Sequence, residues 1–96
     1  MPGSPPFYFG VIPYGNPAVT QDEVLKLLVQ DLPKIGYTDM QKGTTYVACR
    51  TPNSHDAVTF VGPWGKGSWA VIMSTGDDAS KSCDKIVKRM QNYTFL

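Results

Sequence analysis

Two stretches of the chain have the hydrophobic spacing of an amphipathic helix. Residues 20–31 open with a capping box, in which the side chains of Thr20 and Glu23 can each accept the other's backbone amide. Pro33 predicts that this helix bends or ends near Asp31, with Gly36 closing its last turn. Residues 79–91 carry one apolar stripe at spacings of three and four and predict a second helix.

Four further stretches are rich in β-branched and aromatic residues and predict strands: residues 7–12, 44–50, 57–61 and 68–73. Short loops join the last three, so we expect an antiparallel meander. The stretch 68–73 has apolar residues on both faces, which predicts a central strand. Residues 92–96 are a candidate for an additional edge strand.

The resulting β-α-β-β-β-α order predicts an α+β fold. We expect a two-layer sandwich in which two helices pack on one face of an antiparallel sheet of about four strands. The other face of the sheet is then open. Prolines crowd the start of the chain, so residues 1–6 are predicted to be a flexible arm and residues 7–96 a single domain.

Composition excludes several classes of protein. The chain has 96 residues, of which 42% are hydrophobic, and a net charge of +1. That balance argues against an electrostatic nucleic-acid binder, and no apolar run is long enough for a membrane span. No signal peptide is visible. Low charge and an abundance of Thr, Ser, Gly and Tyr lean toward an extracytoplasmic location, but the compartment stays open.

The two cysteines, Cys49 and Cys83, allow two interpretations of equal weight. They can form a disulfide, or they can be reduced thiols in the core, where free cysteine is common. With His55 as the only imidazole, the chain lacks the ligands of a tetrahedral zinc site. We therefore predict neither a metal nor a cofactor.

The turn around residues 62–68 and the histidine are the remaining candidates for chemistry. The turn lacks the spacing of a phosphate-binding loop and joins two strands, which favours a simple hairpin. His55 follows Ser54 and precedes Asp56, but nucleophile and base must face each other, so an exposed turn histidine is favoured. Trp64 either contacts a partner or folds back over its own hairpin.

The favoured function is a non-catalytic binding or protein-interaction module that uses the open sheet face. Tyr46, Phe60 and Trp69 are expected to line that face, and Trp64 is expected beside it. Such an apolar surface is normally covered, so we expect a homodimer or a protein partner. A small apolar ligand is a further candidate occupant.

Two alternatives belong to other functional classes. The first is a small secreted effector-like or toxin-like domain, stapled by Cys49 and Cys83, that recognises a protein through Trp64 and the aromatic amino-terminal strand. The second is a small enzyme in which one cysteine is the nucleophile and His55 the base.

Overall fold

A computed structural model describes residues 7–13, 15 and 18–94, without the side chains of Phe7 and residues 90–94. A short 3-10 helix, Leu32–Ile35, follows the first α-helix. In chain order, the other elements are β1 (Phe7–Pro13), α1 (Gln21–Asp31), β2 (Thr38–Lys42), β3 (Tyr46–Arg50), β4 (Asp56–Trp64), β5 (Ser68–Thr75) and α2 (Ala79–Thr94).

The five strands form one antiparallel sheet in the order β1-β5-β4-β3-β2. The predicted α+β class is confirmed, and so is the central position of β5, which β1 and β4 flank. The sheet has five strands rather than about four because β2 was missed: its sequence, TDMQK, has no apolar alternation. Residues 92–94 belong to α2 rather than to an edge strand. The predicted arm (residues 1–6) and residues 95–96 lie outside the described residues.

Helix α1 begins and ends where the sequence predicts. The Thr20 hydroxyl accepts the amide of Glu23 at 3.2 Å, and the Glu23 carboxylate accepts the amide of Thr20 at 3.4 Å. These two bonds satisfy amides that have no partner inside the helix. At the other end the chain tightens into the 3-10 helix around Pro33, and Gly36 closes it with a φ of 93°.

One face of the sheet, called here the α1 face, is packed against α1. Val24 and Leu25 of the helix are buried against Val47 of β3 and Val61 of β4. Two hydrogen bonds hold the chain around the helix start to the sheet: the Gln21 amide donates to the carbonyl of Val61, and the Trp69 indole donates to the carbonyl of Val19, each at 2.7 Å. This packing places α1 over β2, β3 and β4.

Helix α2 lies on the opposite face, called here the α2 face, over β4 and β5. Its Ala79 and Cys83 are buried, and the Cys83 thiol lies 3.8 Å from the carbonyl oxygen of Ile72. The prediction that both helices pack on one face is therefore corrected: each face of the sheet carries one helix. The physical reason is β5, whose apolar residues point to both faces and require a covering layer on each.

Candidate functional site

Strand β1 is an edge of the sheet that keeps large apolar side chains in solvent. Tyr8, Phe9, Val11 and Ile12 are 60, 41, 43 and 36% exposed. We call these four residues the β1 edge. No charged residue occurs between Phe7 and Pro13, so the strand has none of the charges that normally protect a sheet edge. Exposed apolar side chains on an edge strand are the usual mark of a surface that pairs with another chain.

The register of β1 on β5 distributes the β1 edge over both faces of the sheet. Tyr8 pairs with Met73 and Ile12 with Trp69, which places both on the α1 face. Phe9 and Val11 alternate with them and project to the α2 face. Helix α1 lies over β2–β4 and α2 over β4–β5, so the main helical cover stops short of β1. Both faces of this end of the sheet are therefore accessible.

Trp64 lies beside the β1 edge rather than at the tip of a loop. It ends β4, and its ring contacts Phe9 with centroids 4.9 Å apart at an interplanar angle of 62°. This contact reaches across β5 on the α2 face, where the small side chain of Ala70, paired with Gly62, leaves room. Trp64 thus folds back over the sheet and extends the apolar surface of Phe9, while it stays partly accessible to solvent.

The other three predicted binding residues do not form one surface. Tyr46 and Phe60 are paired across β3 and β4 on the α2 face, and Tyr46 is exposed. Trp69 lies on the α1 face, where it packs on the core of α1. The prediction that all three line one open face is wrong for Trp69, because the strand alternation of β5 turns it to the other side.

The two cysteines do not form a disulfide. Both are free and buried: Cys49 belongs to a cluster on the α1 face with Leu32 and Met73, and Cys83 projects from α2 onto the other face of the sheet. The sheet itself separates them. Burial raises the pKa of both thiols, and the charge of Asp84 raises that of Cys83 further. Raised pKa values make both poor nucleophiles at neutral pH.

His55 lines a cleft of about 370 Å³ at the end of the sheet. Tyr8, Tyr37 and Thr75 form other parts of its wall, and no cysteine does. Burial raises the pKa of the Tyr37 phenol, and the neighbouring Tyr8 adds to the effect, so Tyr37 stays a neutral hydroxyl at physiological pH. The cleft offers hydroxyl and imidazole groups for hydrogen bonding but does not join the imidazole to a thiol.

The loop that presents His55 is internally hydrogen-bonded. The Thr51 hydroxyl accepts the amide of His55 at 3.1 Å, and the Arg50 guanidinium donates to the carbonyl of Ser54 at 2.6 Å. Ser54 adopts a φ of 65°, in the left-handed region that a non-glycine residue enters at some cost. These bonds hold the loop in one shape at the mouth of the cleft.

Within the described part of the chain, no three His, Cys, Asp or Glu residues are grouped so that they could hold a metal ion. Over the same residues, neither helix combines the length and the apolar character needed to cross a bilayer.

Sequence reasoning predicted β1 as a strand and, in the effector-like alternative, gave it a recognition role together with Trp64, but it named none of its four exposed residues individually. The signal was present, since the strand is aromatic and β-branched and carries none of the charges that usually protect a sheet edge. What the sequence could not supply was that β1 is an edge and that both helices leave it uncovered. Comparison with protein-family models, curated proteins and solved structures finds no match to this chain.

Proposed function

We propose that this protein is a non-catalytic interaction module that binds an extended segment of a partner chain along β1. One observation carries the proposal: the β1 edge exposes four large apolar side chains on an uncharged strand at the end of the sheet. An added strand would pair with the free backbone amides and carbonyls of β1, while its side chains would cover Phe9 and Val11 on one face and Tyr8 and Ile12 on the other.

Two features of the candidate catalytic residues support a binding role over catalysis. The raised thiol pKa values of Cys49 and Cys83 oppose a cysteine nucleophile. The cleft that contains His55 is lined by no cysteine. The alternative of a disulfide-stapled effector is weakened because Cys49 and Cys83 are not bonded to each other. The recognition surface of that alternative, the amino-terminal strand with Trp64, agrees with the surface proposed here.

The proposal is tested by selecting random displayed peptides on the immobilised full chain. We expect the enriched peptides to alternate β-branched or aromatic residues with polar ones. The variant Val11→Lys should weaken their binding at least about tenfold, because a charge on an edge strand opposes strand addition. The matched control Gln41→Lys adds the same charge to the exposed β2 strand and should leave binding unchanged.

A second experiment tests the backbone hydrogen bonds between β1 and the peptide separately from the side-chain contacts. Two versions of a selected peptide are compared, one N-methylated at every odd residue and one at every even residue. One version should lose binding and the other should keep it, because only every second amide of an added strand points toward β1. Peptides that bind Val11→Lys as well as the wild type, or that bind in both methylated versions, would contradict strand addition at β1.

A further inference from the structure

We infer that the partner of the β1 edge is a second copy of this chain, paired antiparallel about a two-fold axis at Gly10. The inference rests on the proposed function, since it names the occupant of the same edge. Gly10 is the midpoint of β1 (Phe7–Pro13), with three residues of the strand on either side. A two-fold axis through a midpoint matches the strand to itself over its full length.

The sequence of β1 is self-complementary in this register. Phe9 lies opposite Val11 of the other copy on the α2 face, and Tyr8 lies opposite Ile12 on the α1 face. Each pair joins an aromatic to a β-branched side chain, a combination that stabilises antiparallel strands. A shift by one residue would pair positions from opposite faces of the sheet, such as Phe9 with Gly10 or Ile12, so the faces of the two copies would no longer match and the symmetric register is the favoured one.

The centre of this arrangement has room for close approach. Beyond its two chain neighbours, no atom of the described residues would lie within 4 Å of a methyl group placed on Gly10. The two Gly10 Cα atoms would lie roughly 4.5–5.5 Å apart, as in any directly opposed antiparallel pair. Pro13 lacks an amide, so the ladder would be continuous over residues 8–12 and weaken beyond them.

The absence of charge on β1 favours a second copy over a partner recognised by charge. An identical strand has no like-charge repulsion to overcome when neither copy carries an ionised residue there. The exposed parts of the four side chains amount to roughly 300 Å² per copy, which gives a contact below the ~1,200 Å² of a standard stable interface. The dimer is therefore a weak, concentration-dependent one.

Sedimentation equilibrium of the full chain, from about 1 µM to about 500 µM, measures the association, since a contact of this size belongs to the micromolar range or weaker. The wild type should shift from monomer toward dimer across that range. Val11→Lys and Ile12→Lys, which place a charge on opposite faces of β1, should each weaken association at least about tenfold. Gln41→Lys on β2 should behave as the wild type.

Cysteine crosslinking tests the register. Gly10→Cys should form a disulfide-linked dimer on mild oxidation, because the opposed Cα atoms fall within the range that a disulfide spans. Val11→Cys should not, because in this register the two introduced cysteines are diagonal and more than about 7 Å apart. Peptide mapping identifies the linked residue and separates it from the buried Cys49 and Cys83.

The outcomes separate this inference from the proposed function. A wild type that stays monomeric throughout, or a Val11→Cys that crosslinks as readily as Gly10→Cys, overturns the symmetric dimer. If peptides that require an unmodified β1 are nevertheless selected, strand addition stands and the partner is a different chain. If the wild type dimerises but both β1 lysine variants dimerise equally, the inference and the role of β1 fail together.

Discussion

The two edges of the sheet are built in opposite ways. Strand β2 carries Asp39 and Lys42, its pairing with β3 is interrupted by a register shift between Thr38 and Gln41, and Asp39 has a φ of 58°. Charges and irregular pairing are the usual means by which a protein keeps a sheet edge from recruiting another strand. Strand β1 runs in continuous register along β5 and has no charge.

The protected edge is also tied to the rest of the molecule. Lys42 of β2 contacts Asp22 of α1 at 2.6 Å, and Asp22 contacts Lys26 at 3.1 Å, the ion pair that the spacing of the two residues predicts. Helix α1 packs against β2, β3 and β4, and helix α2 packs against β4 and β5. The main contacts of the two helices therefore include β2 but not β1. Exposed apolar residues on β1 are therefore not a general property of this sheet, since the same chain protects its other edge.

The largest effect on the free energy of unfolding is expected at the contact between α1 and strands β2, β3 and β4. Leu25 is 0% exposed and Leu27, two residues on, is 50% exposed. Leu25→Ala should lower the free energy of unfolding by about 3 kcal/mol, because it leaves a cavity between α1 and the strands. The matched change Leu27→Ala should cost less than about 1 kcal/mol. Urea unfolding followed by circular dichroism measures both.

Amide exchange under native conditions then shows which half of the sheet depends on α1. Because α1 lies over β2–β4, Leu25→Ala should accelerate exchange in β2 and β3 more than in β1 and β5. Equal acceleration in all strands would mean that the two edges share one cooperative unit, and that the asymmetry between them is confined to their surfaces.

Removing the Lys42 charge from β2 should make the two edges more alike. Lys42→Val takes away both the edge charge and the contact with Asp22. A chain whose β2 edge is less protected can pair at both ends, so we expect species larger than a dimer at concentrations where the wild type stops at a dimer. Light scattering at several concentrations measures this effect. Lys42→Arg keeps the charge and should match the wild type, and a wild-type mass for Lys42→Val would show that Asp39 and the register shift protect β2 without Lys42.

The sequence predicted most of the fold because local signals agreed. The capping box at Thr20, the end of α1 near Pro33 and the central position of β5 all came from short-range patterns. Strand β2 was missed for the same physical reason that makes it a protected edge: a strand that faces solvent needs no apolar alternation. The polar and charged residues that protect this edge also remove the apolar alternation by which a strand is recognised in a sequence.

The placement of the helices and the position of the binding site were harder to predict from the sequence. Apolar residues on both faces of β5 already required two covering layers, and that pattern was interpreted only as evidence for a central strand. Which face each aromatic residue occupies depends on register, which a one-residue shift reverses; this is why Trp69 was grouped wrongly with Tyr46 and Phe60. The exposure of Tyr8 and Phe9 depends on where α1 and α2 stop, which is a tertiary property.

The smallest expected effect is the response of the two edges to acid. Lys42 and Lys26, in that order, hold the pKa of the Asp22 carboxyl below its ordinary value of 3.8. A carboxyl with a lowered folded pKa stabilises the native state above pH 3.8 and loses that contribution as the pH falls through the folded value. The contact between β2 and α1 should therefore loosen in acid, while β1, which has no carboxylate, should not respond.

The measurement is the urea midpoint between about pH 6 and about pH 2.5, together with amide exchange in β2. Because the Asp22 side chain is exposed at the surface, the change should be small and should shrink further as salt is added. Asp22→Asn should be slightly less stable than the wild type near neutral pH, and the two proteins should converge at the acid end, where the carboxyl is protonated. A difference that persists unchanged in acid would mean that Asp22 supports β2 by packing rather than by charge, and the two edges would then differ in their side chains but not in their electrostatics.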